Sequence, residues 1–232
     1  LKPASVAAIE AAVIATRALL RGESLEVGAL RPARLNHARD VPVWVAAQGP
    51  KNLRMAGRVA DGVWIRVGRD PGNLQLAWDA VRAGLKDAHR SENEIRVGLI
   101  FHTAVSGDPA EARLMGKAIA AGYYEYSHFL FERPGLAWSG EDPHVLRHTV
   151  YPDFLHHADM VFAGQQLSFL EDRAAEAFAL FGDWDDIASQ LEATLASTDI
   201  PAEWILTHPV LPKGSTLDFM KDAAVQLLPG FI

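Results

Sequence analysis

The spacing of apolar residues along the chain predicts helices and strands in alternation. From Val6 to Leu20, apolar residues recur at three- and four-residue steps, the period of an amphipathic helix, and Gly22 follows as a stop signal. The same period predicts helices over residues 51–60, 73–89, 108–122, 185–196 and 217–228. Short runs of β-branched and aromatic residues predict strands near residues 43–46, 63–67, 96–104 and 204–206.

The alternation is interrupted only in the middle of the chain. Regular alternation implies parallel strands joined by right-handed crossovers, either in a barrel or in an open doubly wound sheet. Residues 123–179 are rich in aromatic residues, proline and histidine, so we expect an inserted, mostly helical excursion with short helices near residues 144–154 and a turn at Gly164. Four strands are too few to close a barrel of eight.

Composition narrows the classes of function. The 232 residues carry a net charge of -7 that is spread along the chain, so the sequence predicts neither nucleic acid nor a membrane as a partner. The absence of cysteine excludes disulfides, thiolate metal sites and a cysteine nucleophile. With no apolar run near the ~18 residues of a membrane span and no signal-peptide layout, we expect a cytoplasmic protein. The start at Leu1 rather than Met suggests a processed, truncated or partly recorded chain.

The most distinctive local feature is the end of the first predicted strand, where small residues lead into a Gly-Pro turn and a helix. Ala46 and Ala47 would let a flat ring or a phosphate approach the backbone, and Gly49-Pro50 turns the chain. The amides of the following residues, Lys51 to Leu53, would open the helix and favour an anion. The alternative is that Gly-Pro only makes a tight strand-to-helix turn.

The stretch VAAQGPKNLRMAGRVADGVWIRVG at residues 45–68 resembles the fifth and sixth strands of the luciferase-like monooxygenase superfamily, particularly its deazaflavin-dependent branch. Four further landmarks extend the resemblance over nearly all of the chain: RALLRGE, AVSGDPAEAR, AFALFGDWDDIASQL and AAVQLLPGF. The resemblance implies an α/β fold, the luciferase-like (β/α)8 TIM barrel, with only about the last four βα units in this chain. Residues 1–232 would then be the C-terminal part of a single barrel domain, with 123–179 as its excursion.

The resemblance also implies an oxidoreductase that transfers a hydride between coenzyme F420, with FMN as the alternative, and a small organic substrate. In the family, the loop after the fifth strand wraps the cofactor ring and its phosphate-bearing tail. Carried over to this sequence, that loop consists of Ala46, Ala47, Gln48, Gly49, Pro50 and Lys51. Arg69 falls where some relatives place a cation for a phosphorylated substrate, and the alternative is a solvated loop arginine.

Other candidate sites have less support. Two histidines four residues apart, with further histidines and aspartates nearby, permit a metal hypothesis that rests on His144, His148, His156, His157, Asp153 and Asp159. Because no HExxH motif is present and the carboxylates are out of register, we expect no metal site and assign these side chains packing or capping roles. The Asp61-Gly62 pair follows a helix and precedes a strand, which indicates a turn on the stability face of a barrel rather than a catalytic carboxylate. Nucleophile-elbow and phosphate-loop motifs are absent.

The resemblance leaves the catalytic residues unknown, because the family places them largely in about four earlier βα units. Those units could lie on another chain, lie outside the given sequence or be lost, so we expect a homodimer or pairing with a chain that supplies the strands. The alternative function is a non-catalytic half-barrel that binds or scaffolds. Such a half would expose the strand residues Val43, Val45, Val63 and Ile65. An unrelated open α/β binding module is disfavoured by the string of landmarks.

Overall fold

A computed structural model describes residues 4–26, 28, 30–210 and 216–231. The helices are α1 (Val6–Leu20), α2 (Pro50–Val59), α3 (Pro71–Asp87), α4 (Pro109–Ser127), α5 (Pro143–Leu146), α6 (Met160–Gln165), α7 (Arg173–Phe178), α8 (Trp184–Ala196) and α9 (Thr216–Gln226). The strands are β1 (Trp44–Ala47), β2 (Gly62–Ile65), β3 (Arg96–Val105), β4 (Ala179–Gly182) and β5 (Ala202–Pro209). Every predicted helix and strand outside the middle segment is therefore confirmed, with small shifts at the ends.

The strands form a mainly parallel sheet with the order β1-β2-β3-β4, and β5 also pairs with β3. β1, β2 and β3 pair in parallel, with Trp44 beside Gly62 and Gly62 beside Arg96. The carboxyl half of β3 pairs in parallel with β4, which the sequence did not predict. Along β5, Glu203 forms an ion pair with Arg96 at 2.9 Å and the Val210 amide donates to the Thr103 carbonyl at 2.9 Å. The earlier residue of β5 thus contacts the start of β3 and the later residue contacts its end, so β5 is parallel to β3.

Backbone contacts divide the chain into two compact units. The first contains Leu1–Arg66, Leu76–Leu99 and Pro201–Trp204, and the second contains Val67–Gln75, Ile100–Ile200 and Ile205–Ile232. β3 contributes its amino half to the first unit and its carboxyl half to the second. Among the described residues, no helix is long and apolar enough to cross a membrane.

In the first unit, two glycines let α2 and α3 approach to backbone contact. A Cβ built on Gly57 would lie 2.2 Å from the Val81 carbonyl oxygen, and one built on Gly84 would lie 1.9 Å from the Arg54 carbonyl oxygen. Backbone atoms cannot move aside as the end of a flexible side chain can. The close contact of these helices therefore requires a residue without a side chain at both positions.

The exposure of Val63 and Ile65 that we expected of a separate half-barrel is not observed, because these residues are 0% and 1% exposed. Val43 and Val45 are half-buried. The opposite face of β1 and β2 carries tryptophans: the Trp44 and Trp64 rings lie 5.2 Å apart. Glycines make room for both rings, since a Cβ at Gly62 or Gly98 would lie 2.3 Å from a tryptophan ring atom. Alternation along each strand thus separates an aliphatic face from an aromatic one.

The second unit is organised around α4, which contacts α6, α7 and β4. Several aromatic residues of the middle segment pack against one another: the Tyr124 and Trp138 rings, for example, stack 4.5 Å apart. The prediction of a turn at Gly164 is wrong. This glycine lies inside α6, where a Cβ would be 2.1 Å from the Leu114 carbonyl oxygen of α4. Close helix packing, rather than a turn, explains the glycine. Between residues 144 and 154 the only described helix is the end of α5.

We predict that Gly57→Ala lowers the free energy of unfolding by ~1–3 kcal/mol, because the methyl group meets backbone atoms of α3 that cannot yield. Urea unfolding of the wild-type and variant proteins measures the change. Gly107→Ala is the matched control, since a Cβ at Gly107 meets no atom within 4 Å. An equal effect of the two substitutions would contradict the packing argument.

Candidate functional site

The loop predicted to hold a cofactor begins where the pairing of β1 with β2 ends. The last ladder hydrogen bond runs from the Arg66 amide to the Ala47 carbonyl at 3.1 Å. Ala46 is exposed, whereas Ala47 is 7% exposed. Gly49 then caps α2 in an extended conformation (φ -81°, ψ 143°), and Pro50 takes the first helical position, where an amide would have no partner within the helix.

Two of the three backbone amides that we predicted to be free for an anion donate hydrogen bonds to the protein itself. The amides of Asn52 and Leu53 both donate to the Gly49 carbonyl at 3.0 Å, so the expectation that they are free is wrong. Lys51 lies at the second helical position, before the first amide that donates within α2. Its ammonium group is exposed and has no ion pair with any residue that the structure describes.

The space beside Gly49 is open. A Cβ built on Gly49 meets no atom within 4 Å, in contrast to the tightly packed Gly57 of the same helix. The φ of Gly49 lies in a region that every residue type can adopt. Neither packing nor backbone conformation in this structure therefore requires a glycine at this position.

Asp61 acts as a structural clamp, in agreement with its predicted place in a turn. Its carboxylate forms an ion pair with Arg17 of α1 and accepts a hydrogen bond from the Val43 amide at 2.9 Å. The Arg17 guanidinium also donates to the Val59 carbonyl at 2.8 Å. These bonds join α1, the end of α2 and the start of β1, which accounts for the carboxylate without a catalytic role.

Arg69, the candidate substrate cation, is half-buried in the second unit. Its guanidinium donates to the Gln190 side chain at 2.7 Å, the Thr194 hydroxyl at 3.2 Å and the Ala179 carbonyl at 3.3 Å. Burial lowers its pKa. A cavity of about 320 Å³ is lined by Arg69, Asp70, Arg173, Glu176, Thr194 and Ser197, among others. The guanidinium thus anchors the loop after β2, and Arg69 also lines a cavity of mixed charge.

Four side chains of the metal hypothesis, Asp153, His156, His157 and Asp159, have local hydrogen-bond partners. His156 Nδ1 lies 2.8 Å from Asp153, whose carboxylate also accepts the Leu155 amide at 2.8 Å. Burial raises the pKa of Asp153, but the His156 and backbone hydrogen bonds outweigh it and lower the pKa overall. Asp159 caps α6 through the Phe162 amide. Among the described residues, no group of three or more histidine or carboxylate side chains could hold a metal ion.

A buried carboxylate lies beside this region. The Glu125 side chain on α4 is 2% exposed, and Arg147 lies 3.0 Å from one of its oxygens. Neither oxygen has a hydrogen bond of acceptable geometry to a described group. Burial raises the pKa of Glu125, and Arg147 only partly offsets the shift.

Sequence reasoning missed a cluster of three side chains in the second unit. His102 of β3 is 2% exposed, and its Nδ1 lies 3.1 Å from the hydroxyl of Tyr123, which is fully buried. The His208 ring of β5 stacks on the His102 ring, with centroids 4.9 Å apart and planes 22° apart. His208 itself is exposed. The available signal was a single histidine inside the apolar β3 run, LIFHTAV.

Comparison with known proteins gives a consistent family. Residues 3–200 match the sequence model of the family described as luciferase-like monooxygenase. The chain is 32% identical over 117 residues to the 5,10-methylenetetrahydromethanopterin reductase of Methanolobus tindarius, covering 50% of this chain and 35% of that protein. It is 27% identical over 163 residues to the corresponding reductase of Methanopyrus kandleri, covering 70% of this chain and 44% of that protein. The chain thus spans less than half the length of these relatives.

Solved structures show the same fold. The F420-dependent tetrahydromethanopterin reductase of Methanopyrus kandleri superposes with a TM-score of 0.70 at 23% identity, over 98% of this chain and 63% of that one. An F420-dependent secondary alcohol dehydrogenase, solved with an F420-acetone adduct, superposes with a TM-score of 0.65 at 14% identity, over 100% of this chain and 64% of that one. These similarities confirm the predicted fold class, a parallel α/β fold of the luciferase-like barrel type.

We predict that Glu125→Gln stabilises the protein relative to wild type increasingly as the pH rises. Because the pKa of folded Glu125 lies above its ordinary value of 4.5, the folded state binds this proton more tightly than the unfolded state. Wild-type stability contributed by this group is therefore lost as pH rises from about 4.5 through the raised pKa, and the amide removes that loss. Urea unfolding between pH 4 and 7.5 measures the difference.

The exposed Glu132 supplies the control variant, Glu132→Gln. A stability difference between the Glu125→Gln and wild-type proteins that stays constant over this pH range would contradict the prediction.

Proposed function

The chain belongs to the luciferase-like monooxygenase family, and from this premise we propose that it takes part in hydride transfer between coenzyme F420 and a small organic substrate. The curated relatives are methylenetetrahydromethanopterin reductases, and one structural neighbour is an F420-dependent secondary alcohol dehydrogenase. In both kinds of reaction a carbon atom of the substrate gains or loses a hydride. When bound, the deazaflavin supplies or accepts that hydride.

The observation that carries the proposal is the open space at Gly49. Because no described atom lies where a Cβ of residue 49 would be, a ligand has room to approach the backbone closely at this glycine. A cofactor whose chain passes along the backbone of Ala46 to Lys51 meets this description. We therefore propose Ala46, Ala47, Gln48, Gly49, Pro50 and Lys51 as its binding loop.

Charge at the loop supports an anionic ligand. The ammonium of Lys51, which forms no ion pair with a described residue, lies at the amino-terminal turn of α2, where the helix dipole also favours negative charge. In this proposal Lys51 contacts the phosphate-bearing tail, and the small side chains of Ala46 and Ala47 leave room for the ring. The tail of either F420 or FMN carries a phosphate, and the F420 dependence of the relatives favours the first.

The role of Arg69 is also a proposal. Arg69 is proposed as a contact for an anionic group of the substrate, because it lines the 320 Å³ cavity. Its hydrogen bonds to Gln190, Thr194 and Ala179 equally support a purely structural role. Cytoplasmic location and pairing with a second chain remain predictions.

We predict that Gly49→Val weakens F420 binding by about 10- to 100-fold, the equivalent of ~1–3 kcal/mol, with little effect on stability. The valine side chain would occupy the space left for the cofactor, whereas the extended backbone at Gly49 accommodates a β-branched residue. Fluorescence quenching during titration with F420, and separately with FMN, measures affinity. Thermal unfolding measures stability.

Gly107→Val is the matched control, because it also adds a side chain in open space but outside the loop. Unchanged F420 and FMN affinity in a well-folded Gly49→Val protein would show that the loop is only a turn. Failure of both cofactors to bind the wild-type chain would refute the proposed function itself.

A further inference from the structure

We propose that His208 exchanges a proton with the substrate during hydride transfer, and that the buried pair His102 and Tyr123 holds its ring in place. This inference rests on the proposed function and adds a catalytic residue to it. It starts from the three-residue cluster in the second unit, which neither the cofactor loop nor the Arg69 cavity uses.

The first observation is that two polar side chains, His102 and Tyr123, are buried together. His102 and Tyr123 are 2% and 0% exposed, and the Tyr123 ring packs 5.0 Å from the Phe178 ring. Two buried polar groups that bond to each other add little net stability, because apolar groups of the same shape can replace such a pair at almost no cost in free energy. A departure of this kind from apolar packing points to a role in function.

The second observation is the position of His208. It is the second-to-last residue of β5, a strand parallel to β3. The residue is exposed, and its ring stacks on the His102 ring. Enzymes with parallel-strand barrels place their reacting groups at the carboxyl ends of the strands. His208 therefore combines access to a ligand with a neighbour that limits rotation of its ring.

Hydride transfer to the substrate also requires a proton donor. A substrate carbon that gains a hydride, which a bound reduced deazaflavin would supply, gives up one electron pair of its bond to the neighbouring heteroatom. The heteroatom keeps that pair and must take a proton. With a ketone, the oxygen of the C=O bond takes it; with a methylene carbon bridging two nitrogens, the nitrogen of the broken C–N bond takes it. An imidazolium at His208 gives this proton and becomes neutral, and solvent restores it. Alcohol oxidation reverses each transfer.

Tyr123 acts through His102 and is a positioning residue. If the Tyr123 hydroxyl donates to His102 Nδ1, the His102 ring proton is held on Nε2 and the ring orientation is fixed. The stacked His208 ring then has a fixed platform. Removing only the hydroxyl should loosen His102 and, through it, His208.

The test compares wild-type protein with His208→Gln, Tyr123→Phe and the control His148→Gln, which alters another exposed histidine. F420 affinity is measured by fluorescence quenching. Hydride transfer is measured in single turnovers, from propan-2-ol to F420 and from reduced F420 to 5,10-methylenetetrahydromethanopterin. Ring-¹⁵N NMR of histidine reports the tautomer and order of His208 without any substrate.

We expect all four proteins to bind F420 within about twofold of one another. His208→Gln should slow hydride transfer by ~100-fold or more, the scale of general acid–base catalysis, and His148→Gln should not slow it. Tyr123→Phe should slow transfer less and should shift the His208 ring signals toward those of a freely rotating histidine. A merely structural Tyr123 would lower thermal stability without moving those signals.

Three results would overturn the inference while leaving the proposed cofactor intact: wild-type transfer rates in His208→Gln, identical His208 ring signals in Tyr123→Phe and wild type, or a wild-type chain that binds F420 but transfers hydride with neither probe. Failure of the wild-type chain to bind F420 or FMN would overturn the inference together with the proposed function.

Discussion

Parallel pairing of β1 with β2 determines where the candidate site lies. The ladder runs from Trp44 beside Gly62 to Ala47 beside Ile65, and the bond from the Arg66 amide to the Ala47 carbonyl is its last. Beyond that bond the chain must leave the sheet, and Pro50 starts α2 three residues later. The clamp of Asp61 on Arg17 and Val43 secures the opposite end of the same pair of strands. A shift of one residue in this register would place Trp44 and Trp64 on opposite faces of the sheet.

Much of the fold was predictable because helix and strand periods are local properties. β4 was missed since its four residues, ALFG, directly follow the helical run of α7, and the boundary depends on pairing with β3 rather than on local sequence. The sequence also did not predict that the valine and isoleucine of β2 face the buried side and the tryptophans the other side, for a related reason. Valine and isoleucine suit either face of a strand, and the glycines Gly62 and Gly98, which accommodate the tryptophan rings, identify the aromatic face only when the register is known.

The candidate site was predictable only where it is one continuous segment. The loop from Ala46 to Lys51 can be identified from its order of small residues, Gly-Pro and lysine. The His102, Tyr123 and His208 cluster joins residues up to 106 positions apart on β3, α4 and β5, so only the folded chain brings them together. The prediction that the Asn52 and Leu53 amides are free was wrong, because both donate to the Gly49 carbonyl.

The central claim is that the loop after β1 binds a deazaflavin, and amide hydrogen exchange in the presence and absence of F420 tests it most directly. The exchange rate of each amide reports local opening and contact along the chain. Our account predicts that F420 slows exchange in the peptides that contain Ala46 to Lys51, while the clamp region around Arg17, on the same unit, is unchanged. Binding of F420 that leaves exchange in this loop unaltered, with protection confined to other segments, would contradict the account.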